Sequence, residues 1–421
     1  MRRGKWRRLD VIAGGHAHFV TLIASFSAAV WAYLFFGRGA FWRPRKFDGD
    51  ASNIPLPARL PRIQVIIPAR NEAPTIGVTI SALLQQEYPG ELRIAVVDDH
   101  SSDGTAEVAR AAAASSRGEQ RVTILSAPAL DPGWTGKLWA LQHGVCTAPL
   151  AAEAANEPLA ASVRSTVPDF YWFTDADIEH APDTLRRLVA RAERDRLDLV
   201  SFMVLLRSRT FPEKALIPPF LYFFLQLYPP LWIADARSRT AGAAGGCLLI
   251  RRERLERIGG LVAIRDAVID DCALARAVKG SGGRIWMGVT RASVSLRDYH
   301  HFAEIRDMIA RTAFTQLGYS PGVLFFAFAG LLLTYIAPVL LVIAGRGWPR
   351  GLGALAWLMM SLTFLPIVRY YRLSLAWAAS LPAAAVFYTY ATLLSAARFW
   401  LGRGGQWKGR AQAPSSTHTN A

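Results

Sequence analysis

From Gly322 to Gly345 the chain reads GVLFFAFAGLLLTYIAPVLLVIAG, with no charge anywhere in it. A run of that length narrows the choices sharply. In a bilayer its backbone groups must bond within the segment, so the run is a helix, and about 20 apolar residues are enough to span. Further apolar runs occupy Phe19–Phe36, Leu352–Val368 and Leu375–Ala397, the last two separated by Arg369-Tyr-Tyr-Arg372. An apolar content of 52% over 421 residues agrees, being above that of ordinary soluble domains. We expect an N-terminal membrane anchor over 1–37 and transmembrane helices over 321–401. Arg2, Arg3, Lys5, Arg7 and Arg8 ahead of the first run imitate a signal peptide. No small-x-small cleavage site follows before Phe35-Phe36-Gly37-Arg38, which favours an uncleaved anchor.

The middle of the chain follows a different rule. After a polar, Pro-rich linker over 38–61, short apolar runs alternate with helical patterns. Strands are expected at Ile63–Ile67, Leu92–Val97, Val122–Leu125, the run ending at Asp175, and Leu197–Leu205. Helices are expected at Pro74–Gln86, Asp103–Ala114, Gly136–Cys146 and Pro182–Arg194. This rhythm predicts an α/β domain over 62–302 with a Rossmann-like, mainly parallel sheet covered on both faces. Residues 149–168, Ala-rich and bounded by Pro, read as an inserted loop. Residues 211–234 are apolar and aromatic but carry Pro212, Pro218, Pro219, Pro229 and Pro230. So many prolines argue against a transmembrane helix and for a membrane-interface segment. An amphipathic stretch over 303–320 is expected on the membrane surface too, and a disordered tail over 402–421.

The net charge is +16, from 48 basic and 32 acidic residues. Much of the excess is Arg near the apolar runs, which suits an anionic membrane surface or a polyanionic nucleotide donor. No zinc-finger spacing or aromatic RNA-binding signature accompanies it, so a nucleic-acid partner is not expected. Cys146, Cys247 and Cys272 have no metal-site spacing and suggest no disulfide framework.

The chemistry gathers at strand ends. The first strand ends in Pro68-Ala-Arg-Asn-Glu72, the second in Val97-Asp98-Asp99-His-Ser-Ser-Asp103-Gly-Thr. The third helix opens with Gly133-Trp-Thr-Gly136-Lys137, and the fourth strand ends in Asp175-Ala-Asp177. Parallel strands bring all these ends to one edge, where open α/β sheets bind ligands. Asp-x-Asp alone is a weak pattern, but two carboxylates so close need a positive charge between them, and a hard divalent cation is the usual occupant. Lys137 and helix N-termini suit phosphates. Together these describe a nucleotide-diphosphate site. Plainer roles stand beside each assignment. Asp99 and Asp103 suit helix caps, Lys137 a solvated helix start, Asp270 a cap, and Asp271 an N-terminal helix charge. His300-His301 reads as a structural or membrane-surface pair before a metal ligand. Gly242-Ala-Ala-Gly245-Gly246 lacks the strand–turn–helix context of a dinucleotide loop.

These motifs resemble the family-two inverting glycosyltransferases of GT-A fold. That family shows Pro-x-x-Asn-Glu, Val-Asp-Asp-x-Ser-x-Asp-Gly-Thr, Gly-Lys-x-x-Ala-x-x-x-Gly and Asp-x-Asp, in that order. The third appears here as Gly136-Lys137-Leu-Trp-Ala140-Leu-Gln-His-Gly144, and the match covers about residues 62 to 290. The resemblance implies a GT-A nucleotide-diphospho-sugar transferase fold. It implies Asp99 at the base, Glu72 and the Pro68–Ala69 backbone near base and ribose, and Lys137 near the donor. It places Asp175 at ribose or metal, Asp177 on the metal (Mg2+ or Mn2+), and Gly245-Gly246 at the sugar and acceptor pocket. The catalytic base maps to Asp271 of Ile269-Asp270-Asp271-Cys.

Gly133-Trp-Thr-Gly-Lys-Leu-Trp139, Asp270-Asp271-Cys and Arg311-Thr-Ala-Phe-Thr-Gln-Leu317 are similar to the hopene-associated glycosyltransferase HpnB subfamily. The Gln-x-x-Arg-Trp of processive synthases is missing, which points to single-sugar transfer. The expected function is metal-assisted, inverting transfer of one sugar from a nucleotide-diphosphate sugar to a lipid acceptor, as in hopanoid biosynthesis. A polyprenyl phosphate or ceramide-like acceptor, and a non-catalytic membrane scaffold, are the alternatives. Basic residues flank the first anchor on both sides and recur at Arg398, Arg403, Lys408 and Arg410, so charge alone does not orient the chain. Donor supply places the catalytic domain on the cytoplasmic face of a bacterial inner membrane.

Overall fold

In the computed structural model the residues described are 3–43, 55–153, 167–402, 406–407 and 410–411. The chain forms two compact units. One comprises Met1–Arg43, Ser208–Pro229 and Tyr299–Ala397; the other comprises Pro44–Arg207, Pro230–Asp298 and Arg398–Ala421.

The second unit is built on β1 (Ile63–Ala69), β2 (Leu92–Asp98), β3 (Val122–Ser126), β4 (Phe170–Phe173), β5 (Ile178–His180), β6 (Leu199–Leu205), β7 (Leu248–Arg251) and β8 (Ile285–Ser295). They form one sheet in the order β3-β2-β1-β4-β7-β6-β8-β5. The expected parallel register holds across β3, β2, β1 and β4, with Val65 opposite Ile94 on one side and Trp172 on the other. Beyond β4 the sheet becomes mixed. β7 runs antiparallel to both β4 and β6, β8 parallel to β6, and β5 antiparallel to β8. β1 is buried along its whole length, as a strand rich in Ile and Val is when both faces are covered. Val65, Ile67, Ile76, Ile80, Trp172 and Leu249 belong to one core cluster with no exposure.

The helix Gly136–Glu153 lies unusually close to the sheet. A Cβ on Gly144 would come within 2.5 Å of Ile66 Cγ2 and 3.0 Å of Val97 Cγ2. That glycine is a packing requirement, and it sets how far the helix start, with Lys137, sits from the strand ends. The helix continues past Cys146 into the expected inserted loop, whose residues 154–166 lie outside those described. Most of the tail over 402–421 and part of the linker over 38–61 also lie outside them.

The first unit is helical. Across the described chain, five helices are long and apolar enough to cross a membrane: His18–Gly37, Phe211–Ala234, Pro321–Ala344, Trp348–Tyr370 and Leu375–Trp400. The proline-rich segment is helical over Phe211–Leu227 with Pro218 and Pro219 inside. Pro212 stands in the first turn, where its missing N–H is no loss. A strong cap supports that end. Glu213 Oε2 accepts from the Arg209 and Thr210 amides at 2.6 and 2.9 Å, and its Oε1 from the Tyr299 amide at 2.8 Å. The amphipathic stretch forms two short helices, Phe302–Ala310 and Ala313–Gln316.

Pro338 shows how such a helix tolerates proline. Its ring removes the N–H that would bond the Thr334 carbonyl. The helix widens over Leu332–Ile336, and the fully buried Trp31 donates Nε1–H to Thr334 O at 2.7 Å instead.

Candidate active site

The ends of β1, β2 and β4 form the expected edge. Two loops there are laced together. Asn71, in the left-handed region at φ 52°, donates its amide to Ser101 Oγ and accepts from the Ser102 amide, each at 2.9 Å. The Glu72 amide donates to Thr105 Oγ1 at 2.9 Å and the Ala73 amide to Asp103 Oδ2 at 3.0 Å. Asp103 Oδ1 also accepts from the Thr105 amide at 3.1 Å and from its hydroxyl. Burial would push the Asp103 carboxyl up, but these bonds outweigh it and hold it below the usual carboxylate range. Asp103 is therefore a clasp and helix cap. Asp99 is fully buried, with its carboxylate 3.7 Å from Arg70 Nη1. Its amide donates to Ala69 O at 2.8 Å.

A second cluster joins the helix starts. Lys137 Nζ lies 2.9 Å from Asp175 Oδ1 and 3.1 Å from Asp270 Oδ2, with 19% of its side chain exposed. Burial alone would lower its pKa, but Asp175, Asp270 and Asp271 together raise it, so the ammonium stays charged. Asp271 opens the helix Asp270–Gly280. Its Oδ2 accepts from the Gly245 amide at 2.8 Å and its Oδ1 from the Cys272 amide at 2.7 Å. Burial, then the neighbouring Asp270, push its carboxyl up to about 6 against the opposing pull of Lys137 and the two amides. Gly245 packs closely on both groups, since a Cβ there would lie 3.2 Å from Lys137 Nζ and 3.4 Å from Asp271 Oδ2. Pro68, Lys137, Asp175, Gly245, Asp270 and Asp271 line one pocket, with Phe173, Leu248 and Leu261 among its apolar walls.

The far end of the Asp271 helix is also tied down. Lys279 Nζ donates to the carbonyls of Trp232, Ile233 and Thr240 at 2.9, 2.8 and 2.7 Å, holding the segment that leads into the Gly245 turn.

Gly246 meets the site through its carbonyl, which accepts from Thr174 Oγ1 at 2.9 Å. Thr174 in turn bonds His180 Nε2 at 2.8 Å, and Ser293 Oγ bonds His180 Nδ1 at 2.9 Å. Burial pushes His180 down to about 3, against a small opposing effect of Asp175, so the ring is neutral and serves as a buried strut behind Asp175.

Arg297, Arg70 and the Lys137–Asp270 contact were not foreseen. Arg297 follows β8 and reaches Asp177 Oδ2 at 3.2 Å through Nε and Glu72 Oε1 at 3.5 Å through Nη2. Its signal in the sequence is only its position just after a strand that runs parallel to β6. The other candidates fall at the expected edge, except that His300 and His301 present their amides to Glu304 Oε2 at the start of a helix.

The donor set bears on a metal. No group of three or more His, Cys, Asp or Glu side chains gathers around a metal position among the described residues. Asp175 and Asp177 supply hard oxygens only, too few for an all-protein cage. They suit a divalent cation that completes its shell with diphosphate oxygens and water, as Mg2+ and similar ions do.

The mixed eight-stranded sheet carries paired carboxylates, a part-buried lysine and an aspartate with a raised carboxyl at one edge, in a GT-A nucleotide-diphospho-sugar transferase fold. The chain belongs to the family described as glycosyltransferase like family 2, whose profile matches residues 61–313. It is a glycosyltransferase. Among solved structures it is similar to a mannosyltransferase from Pyrobaculum calidifontis in complex with GDP-Man and Mn2+. That match has 19% identity, covers 89% of this chain and 99% of that one, and has a TM-score of 0.51. Mannosyl-3-phosphoglycerate synthase from Rubrobacter xylanophilus matches at 18% identity, covering 66% of this chain and 84% of that one, with a TM-score of 0.38. Glucosyl-3-phosphoglycerate synthase from Mycobacterium tuberculosis matches at 19%, covering 61% and 80%, with a TM-score of 0.37. No curated protein gives a significant match.

Proposed function

We propose that this protein is a multi-pass membrane enzyme moving a single sugar from a nucleotide-diphosphate sugar to a lipid hydroxyl, with inversion at the anomeric carbon. The acceptor is a hopanoid-type lipid, and the catalytic unit faces the cytoplasm of a bacterial inner membrane. The observation that carries the chemical reading is Asp271. It is a carboxylate pushed up to about 6, held by two amides, in the same cluster as Lys137 and Asp175. Its pKa suits a general base, because it is ionised at neutral pH yet more basic than an ordinary aspartate. The subfamily resemblance and the five apolar helices support a lipid acceptor.

In this reading Asp99, Glu72 and the Pro68–Ala69 backbone hold base and ribose. Lys137 places a fixed positive charge at the diphosphate. Asp175 and Asp177 hold the divalent cation, which when bound supplies further charge stabilisation to the leaving group. Asp271 accepts the proton of the acceptor hydroxyl as its oxygen bonds to the anomeric carbon and the bond to the diphosphate oxygen breaks. The Gly245 amide keeps Asp271 oriented, and the absence of a side chain at Gly245 leaves room for the sugar.

The test uses the full chain in lipid nanodiscs with a panel of nucleotide sugars. Hopanoid, polyprenyl phosphate and ceramide are offered separately, and products are read by mass spectrometry and anomeric NMR. A glycosylated hopanoid of inverted configuration is expected. Transfer only to polyprenyl phosphate or ceramide overturns the acceptor, and retained configuration overturns the mechanism. Asp271→Asn is expected to lower transfer by about a thousandfold while donor binding persists. Near-normal turnover in that variant removes Asp271 as the base.

A further inference from the structure

Asp175 and Asp177 are neutralised by different cations. Lys137, which meets Asp175, is 19% exposed and sits against Asp270 as well. Arg297, which meets Asp177, is 37% exposed, whereas Asp177 itself is only 13% exposed. Backbone register puts Arg297 there. Ser295 pairs with Ile178, and the Leu296 amide donates to Asp177 O at 2.7 Å. The next side chain therefore leaves β8 beside the Asp-Ala-Asp turn, between the carboxylates of Glu72 and Asp177. One cation is built in and the other lies near the surface.

We propose that Arg297 is an exchangeable counter-cation of the donor site, yielding Asp177 to the divalent cation and turning to the diphosphate that arrives with it. The proposal rests on reading Asp175 and Asp177 as the metal-holding pair. A guanidinium and a divalent cation on one carboxylate repel each other, and the repulsion is poorly screened where that carboxylate is mostly buried. The planar guanidinium fork matches phosphate oxygens, so Arg297 loses little by changing from a carboxylate to a diphosphate. Without diphosphate, metal entry takes Asp177 from Arg297 and leaves it the longer contact with Glu72. With diphosphate, it exchanges one anion for another. Arg297 thereby couples metal affinity to donor occupancy and disfavours a metal-loaded site with no substrate.

The experiment follows Mn2+ binding by electron paramagnetic resonance on the full chain in nanodiscs, first alone and then with inorganic pyrophosphate. Wild-type protein is expected to bind Mn2+ weakly alone and more tightly with pyrophosphate. Arg297→Gln is expected to bind Mn2+ alone about fivefold more tightly, the size a part-exposed charge pair allows, and to gain less from pyrophosphate. Arg297→Lys keeps the charge and loses the fork. It is expected to retain wild-type affinity for Mn2+ alone and to show a reduced pyrophosphate gain. Unchanged Mn2+ affinity in Arg297→Gln, or an undiminished pyrophosphate gain in Arg297→Lys, overturns the exchange. Asp177→Asn separates the two readings. If it binds Mn2+ as the wild type does, the assignment of the metal to Asp177 falls instead.

Discussion

Asp271 makes the site sensitive to pH in a definite direction. Its folded-state pKa, about 6, lies above the unbound value of 3.8. As the proposed acceptor base it must be ionised, so transfer should rise with pH through about 6, and a rate–pH profile flat between pH 5 and 7 contradicts this. The same shift has a stability consequence of fixed sign. Its contribution is fully present below about 3.8 and is lost as pH rises through about 6. Asp271→Asn should therefore stabilise the protein more at pH 8 than at pH 5, by on the order of 1 kcal/mol. Melting curves at the two pH values check the difference. Lys137 has the opposite character. Lys137→Met leaves Asp175, Asp270 and Asp271 together without their ammonium, at a cost of about 3 kcal/mol in stability. It should also move the acid limb of any residual transfer above 6, since Lys137 is what restrains Asp271 from rising further. An acid limb that stays put in that variant contradicts the coupling.

At the scale of elements, the strand-end motifs are the most legible feature. Pro-x-x-Asn-Glu, Val-Asp-Asp and Asp-x-Asp fall where expected because β1, β2 and β4 are parallel neighbours, and direction alone assigns their ends to one edge. The prolines of Phe211–Leu227 argue against a transmembrane helix but do not prevent a helix, whose start the Thr210–Glu213 cap and the first-turn position of Pro212 support. Elsewhere in the same unit Trp31 satisfies a carbonyl that Pro338 leaves over. Trp31→Phe keeps the ring and removes the donor. It should lower stability by about 1–2 kcal/mol, the cost of one buried unpaired carbonyl. Thermal unfolding in detergent measures it, and no loss means that the bond is incidental.

For the whole molecule, the five apolar helices predict that the full chain stays in the membrane fraction after an alkaline carbonate wash. Release into the supernatant contradicts a spanning arrangement. Protease digestion of right-side-out and inverted vesicles should cut the catalytic unit only in the inverted ones. Cleavage in right-side-out vesicles places the unit outside and removes the expected access to cytoplasmic donor.

The sequence alone determined the features that are local. A charge-free run from Gly322 to Gly345 favours a helix, because a helix bonds its interior backbone groups within the segment. Alternating apolar runs and helical patterns specify parallel strands whose chemistry emerges at their ends. Tertiary structure alone decided which charges meet. The insertion of β7 antiparallel between β4 and β6 brings β8 into the sheet, and β5 pairing with β8 carries Arg297 to Asp177 across 120 residues of chain. Nothing near Arg297 in sequence marks that contact. A salt bridge needs proximity of two side chains, and proximity across that distance is a property of strand order, which hydrophobic periodicity does not encode.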